Sequence, residues 1–368
     1  MENIREVQGR KPVVHPSAWI AENAYLMGDI EVHEGASIWP GAVLRAEYGR
    51  IIVGRNAAIL DRAVVHGGGV GALTRVTDIG EGTVIGVAAM IHGMAAGRNT
   101  RIGDNATVLE AAMVGDWCFV EPRAAILPRA VIPSNSVVAG VPGTVTGQID
   151  ERMQQLLTIQ GHQLVARAGL HRGGASMNDS SAEEGRSNLI RTLDGKTPKI
   201  SPKAWVSEAA YVVGDVEIGD QVTVFPGAVV RGDAGRITIG AKTNVQDNAV
   251  IYSDGDLDIG ESTTIGHAVT IHGRRVGSHC LVGNNSTVSE GVEIGDFSVI
   301  AAGAAVAPHS IVPGDSFVAG VPGEILWRTE PERRRAMEES GGEGYARLSA
   351  IYQAEGLGSW PPDGAPPS

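Results

Sequence analysis

The residues in this chain best suited to chemistry are four histidines set in two related strings. The first string, GGVGALTRVTDIGEGTVIGVAAMIHG (68–93), follows directly on His66-Gly67 and contains His92. The second, AVIYSDGDLDIGESTTIGHAVTIHG (249–273), contains His267 and His272. Where the second has His267 the first has Val87, and where the first has His66 the second has Tyr252. Neutral imidazole is a common metal ligand, and three imidazoles with one open position make a catalytic zinc site. Pooled, the two strings supply three such groups at related positions. Neither supplies three alone.

The elements that must position these residues come from an internal duplication. Trp19 matches Trp205, Gly28 matches Gly214 and Arg45 matches Arg231, all at an offset of 186 residues. Beyond residue 80 the offset becomes 180, as in Gly80 with Gly260 and AGVPG at 139–143 with 319–323. The six-residue difference falls in the Gly-rich stretch 67–71, which reads as a loop extruded from the first copy. Within each copy β-branched residues recur every six positions. Ile102, Val108, Val114, Val120, Ile126 and Ile132 do so in the first, and Val276, Val282, Val288, Ile294, Ile300, Val306 and Val312 in the second. A helix shows a period near 3.6 and a simple strand a period of two, so a period of six is the hexapeptide signature of a parallel β-helix. The expected fold is all-β: two left-handed parallel β-helix domains, each followed by a C-terminal helix.

The domains expected are 1–171 and 189–356, joined by a polar linker at 172–188 and followed by a disordered tail at 357–368. Helices are expected at 149–170 and 331–356, the second interrupted by Gly341-Gly342. They lie along a prism face or reach a neighbouring subunit. About 18 residues make one triangular coil. Position 252 precedes His272 by 20 residues, so the two stack on one edge; His66 and His92 do the same once the extruded loop is allowed for. His267 precedes His272 by only five residues and must point toward a different edge. A three-histidine site therefore draws on more than one domain.

Composition narrows the classes further. A net charge of −12 and scattered Lys and Arg argue against a nucleic-acid partner. No apolar run approaches a membrane span, and the N-terminal stretch has no apolar signal core. Cys118 and Cys280 are widely separated and suit a reducing compartment; the expected location is the cytoplasm. Fifty glycines and 4% aromatic residues fit a backbone that turns tightly every few positions.

The string RGDAGRITIGAKTNVQDNAVIY…IGESTTIGHAVTIHG resembles the gamma-class carbonic anhydrase family, whose pattern runs RGD, TNxQDxxVxH and IGHxxxxHG. The match covers roughly 198–355, with a weaker version over 12–170. Hexads alone would also fit acyltransferases; the combination of strings is specific. The resemblance implies a zinc, or another divalent metal such as Fe(II) or Co(II), between subunits of a trimer, with two histidines from one subunit and one from the next. Carried onto this chain, His66 and His92 match the same-subunit pair and His267 the ligand from across the interface; His272 is the second-copy counterpart of His92. Three imidazoles with an open position lower the pKa of bound water to about 7, giving a hydroxide that attacks carbon dioxide.

Other positions follow from the same resemblance. Arg231 and Asp233 match an interface ion pair lining the anion site, with Arg45 and Glu47 their first-copy counterparts. Asp61 and Asp247 match an orienting acid, with a turn-capping role as the alternative. Asn244 and Gln246 match residues that position the reactive water, where the first copy has Ala58 and Leu60. Tyr345 matches a tyrosine of the C-terminal helix, with His162 as its rough counterpart. By this reading the two-histidine edge has lost its polar helpers, and the edge with helpers has lost a histidine.

The implied partners are a small molecule, carbon dioxide or bicarbonate, and further copies of the chain in trimeric rings. Homotypic rings hold no complete His66, His92 and His267 set; mixed rings hold one complete junction each. Two alternatives stand beside the metalloenzyme: an assembly scaffold without catalysis, and an enzyme that turns the same pocket to another carbonyl substrate.

Overall fold

The fold was analysed in a computed structural model of the chain. It describes residues 3–68, 76–174, 189–328, 330–340, 343–355 and 357–358. The extruded loop lies largely outside these, as does most of the linker. The chain divides into two compact units, 1–187 and 188–368. Each is a left-handed parallel β-helix.

In both units short strands stack in parallel, one coil above the next. In the first, Ile85 pairs with Ile102 and Ile102 with Val120; in the second, Ile265 pairs with Val282 and Val282 with Ile300. The hexad positions form the interior: Val282, Val288 and Ile300 have no exposed surface, and neither do Ile102, Val108 and Val120. Each such side chain contributes roughly 1.5–3 kcal/mol of burial. Corners recur at the same period. Asn99, Asn105, Ala111, Trp117, Arg123, Arg129 and Asn135 all sit at φ between 52° and 64°. A left-handed residue every six positions is what lets a two-residue strand turn onto the next face. The first Gly of a hexad serves a different need: at Gly283 a Cβ would lie 2.5 Å from the backbone nitrogen of Ala302 on the next coil. Each prism ends in an antiparallel hairpin, Ser136–Ala139 with Thr144–Gln148 and Ser316–Ala319 with Glu324–Arg328.

Helix α1, Glu151–Gly174, is capped by Asp150, whose Oδ1 accepts from the Met153 backbone nitrogen at 2.8 Å. It runs four residues beyond the expected end and enters the segment read as linker; 175–188 lie outside the described residues. It packs along one face of the first prism, where Leu164 meets a cluster of Ala58, Leu60 and Val84. The second unit carries α2, Pro331–Ser340, and α3, Glu343–Ala354, on either side of Gly341-Gly342. The expected disordered tail begins ordered. Trp205 Nε1 donates to the Leu357 carbonyl at 2.8 Å, and Leu357 is buried.

Candidate metal centre

Register explains why the first unit brings two of its histidines together. Arg45, His66 and His92 are successive partners on one parallel ladder. Residues in register on adjacent strands point the same way, so the imidazoles stack, with ring centroids 4.9 Å apart at 47°. The stretch of chain between them is one coil enlarged by the loop. Below them Arg45 and Glu47 form an ion pair with both side chains 1% exposed. Glu47 Oε1 also lies 3.2 Å from His66 Nε2. Burial pushes the Glu47 carboxyl up, but the Arg45 guanidinium and His66 outweigh it and hold the group below its ordinary range.

The corresponding edge of the second unit is built differently. Arg231 pairs with Tyr252 on the ladder, and Tyr252 stacks on His272 at 4.4 Å and 16°. The Arg231 guanidinium sits 5.1 Å from the Tyr252 ring centre, a cation–π contact. His272 Nε2 is 3.0 Å from Asp254 Oδ2, an exposed carboxylate that carries no signal in the sequence because it lies in a turn with no matching motif. The side chain of Asp233 falls outside the described residues, so the RGD pairing stays an expectation.

His267 lies elsewhere on the second prism, at a corner. Ala268 and Asn248, one coil apart, are both left-handed, at φ 55° and 57°, so Asp247 and His267 occupy the same corner position on successive coils. His267 Nδ1 is 2.8 Å from Asp247 Oδ2, and Asp247 has no exposed surface. One residue before Asp247 begins a chain of polar contacts. Gln246 Nε2 donates to Asn244 Oδ1 at 3.0 Å and to the Tyr345 hydroxyl at 2.5 Å, and Asn244 Nδ2 donates to Thr264 Oγ1 at 2.9 Å. Tyr345 reaches this face from α3 and packs edge-on against Phe225. Thr264 carried no signal of its own in the sequence.

This geometry corrects one expectation. Asn244 and Gln246 belong with His267 and not with the edge of Tyr252 and His272, because they precede the Asp247 corner. In the first unit the equivalent face holds Ala58, Leu60 and Val84 under α1, with Val87 37% exposed at the corner. His162 is exposed over a cleft with Asn56, Glu81 and Asn99, and is not the counterpart of Tyr345 in contact terms.

The donor chemistry fits a metal. Ligating histidines commonly give their second ring nitrogen to a carboxylate, and both His66 and His267 meet a buried one.

Comparisons with known proteins agree with the architecture. A family model described as hexapeptide repeat of succinyl-transferase matches residues 275–308. The chain is 29% identical over 178 residues to gamma carbonic anhydrase 1, mitochondrial, of Arabidopsis thaliana, covering 46% of this chain and 64% of that protein. It is 30% identical over 238 residues to gamma carbonic anhydrase 2, mitochondrial, of the same plant, covering 62% of this chain and 77% of that one. The chain belongs to the gamma-carbonic-anhydrase-like hexapeptide-repeat family. Carnitine operon protein CaiE of Escherichia coli K12 is 40% identical over 112 residues, which cover 30% of this chain and 57% of CaiE. The chain thus spans less than two thirds of the first Arabidopsis protein and of CaiE. A putative acetyltransferase from Desulfovibrio desulfuricans G20 shares the fold at 16% identity and a TM-score of 0.50, covering 95% of this chain and 80% of that one. Among the described residues no helix is long and apolar enough to cross a membrane.

Proposed function

We propose that this protein is a gamma-carbonic-anhydrase-like metalloenzyme whose zinc site is assembled from one first-copy unit and one second-copy unit. The observation that carries the reading is the complementary distribution of parts. The first unit keeps the stacked pair His66 and His92 over Arg45 and Glu47, but its other face is apolar and carries Val87. The second keeps His267 on Asp247, with Asn244, Gln246 and Tyr345 beside it, while its pair edge has Tyr252. What one unit has lost the other retains.

On this reading His66, His92 and His267 hold the metal. A zinc held there would supply Lewis acidity, bringing the ionisation of a reacting water near neutrality. Gln246 and Asn244 would help orient that water, and Tyr345 holds the Gln246 amide in place. Arg45 lies on the ladder beside His66, on the pair's side of that site, whereas Arg231 lies on the other edge of the second unit beside Tyr252. The substrate is carbon dioxide or bicarbonate, and copies of the chain associate in mixed trimeric rings. The test is stopped-flow carbon dioxide hydration by zinc-loaded protein, alongside light scattering. Hydration that falls at least tenfold in Gln246→Ala at unchanged zinc content supports the assignment. A zinc-replete protein with no hydration above buffer removes carbon dioxide as substrate, and a stable monomer removes the rings.

A further inference from the structure

His66 and His267 meet their carboxylates through different ring nitrogens. In the first unit the contact is to Nε2, 3.2 Å from Glu47 Oε1; in the second it is to Nδ1, 2.8 Å from Asp247 Oδ2. An ionised carboxylate accepts and cannot donate, so the nitrogen that faces it carries the hydrogen and the other keeps its lone pair. Arg45 on the same carboxylate holds Glu47 in the accepting form. Neutral imidazole has only one such hydrogen to place.

Only the first of these contacts is a hydrogen bond, and we infer that Glu47 is a positioning residue for His66, fixing it as the Nε2–H tautomer that offers Nδ1. The acid's length makes this possible. At the matching position the second copy has Asp233, one methylene shorter. Position 47 sits two residues beyond Arg45, which is the ladder partner of His66, so the carboxylate must reach back along the strand to touch that ring. With 1% exposure it reaches His66 without competition from bulk water.

The tautomer claim stands without any metal; only its effect on affinity rests on the metal reading above. The experiment is a long-range proton–nitrogen correlation on the metal-free full-length protein, labelled with 15N-histidine, at a pH where the rings are neutral. His66 and His267 are assigned from His66→Asn and His267→Asn. The expected spectrum shows His66 protonated at Nε2. Glu47→Asp keeps a counter-ion for Arg45 but withdraws the carboxylate from the ring. It should convert His66 to a tautomer mixture and weaken zinc about tenfold or more in chelator competition, the scale on which outer-sphere partners act. Glu47→Gln, which keeps the side-chain length and an accepting oxygen, should retain the Nε2–H pattern. It also serves if the shortened variant fails to fold. His66 protonated at Nδ1 in the parent, or a Glu47→Asp spectrum identical to the parent's, overturns the inference. If the parent binds no zinc, the metal reading fails while the spectrum still decides the tautomers.

Discussion

Replacing His267 is the sharpest way to ask whether the two copies complete each other. Alanine would be a poor choice, because it leaves the Asp247 carboxylate fully buried without the ring at 2.8 Å. An orphaned buried acceptor costs about 1–3 kcal/mol, more for a charged one, so lost metal would be confounded with lost fold. His267→Asn avoids this. Its side-chain amide nitrogen falls near the place of Nδ1 and can still donate to Asp247, while nothing replaces Nε2. Losing an inner ligand must exceed the roughly 10–100-fold effect of outer-sphere partners. Zinc affinity should therefore fall by more than about 100-fold, or about 2.7 kcal/mol. Elemental analysis of the parent should approach about two zinc ions per three chains, the number of complete junctions in mixed rings. His267→Asn should approach none, with the urea midpoint of the metal-free protein nearly unchanged. His272→Ala should retain most of the metal, since Tyr252 already occupies its stacking partner's place. If His272→Ala empties the protein while His66→Ala does not, the site belongs to the second copy alone and the complementation argument is wrong.

Three further outcomes follow from the same geometry. Val87→His with Tyr252→His should raise zinc above the parental stoichiometry, measured by elemental analysis; an unchanged content would show that the lost ligands do not sit where the duplication puts them. Leu60→Gln should destabilise the first unit by about 1–3 kcal/mol in urea titration, because the face under α1 is apolar and the α1 residue packed there is Leu164. Burial pushes the Cys280 thiol from its ordinary 9.0 up to about 12. Above pH 9 the unfolded chain loses that proton and the folded chain does not, so stability is full below pH 9 and declines toward pH 12, by up to about 4 kcal/mol. Comparing the parent with Cys280→Ala across that window isolates the effect; parallel declines would contradict it.

Much of the fold was legible because one physical constraint repeats along the chain. Every sixth residue must fill a prism interior too narrow for aromatics, and Val276 to Val312 and Ile102 to Ile132 record this without exception. Stacking of His66 on His92 was legible too, from coil length once the extruded loop is allowed for. The less legible parts depend on direction rather than spacing. Asp254 reaches His272 from a turn whose course no motif fixes. Helix α1 runs to Gly174 through Gly161 and Gly169, against its local propensity, so its end could not be read from residue types.

The placement of Asn244 and Gln246 shows why such directional errors matter for function. Read along the sequence, they precede Tyr252 and fall in with its edge. In three dimensions a strand of two residues turns a corner before the next begins, so six residues are enough to change faces. Asn244 and Gln246 therefore face α3 with the His267 corner, and Tyr252 faces Arg231 and His272. The losses in the two copies then sort by face. Where the second copy has Asn244, Gln246 and His267 on one face, the first has Ala58, Leu60 and Val87, and Ala58 and Leu60 help seat α1. Where the first copy has His66 on the other face, the second has Tyr252, in a cation–aromatic stack. Random decay would scatter losses over both faces of both copies. Differences confined to one face in each copy, and to opposite faces, are what the shared site proposed above would require of each unit, with the other half free to serve packing.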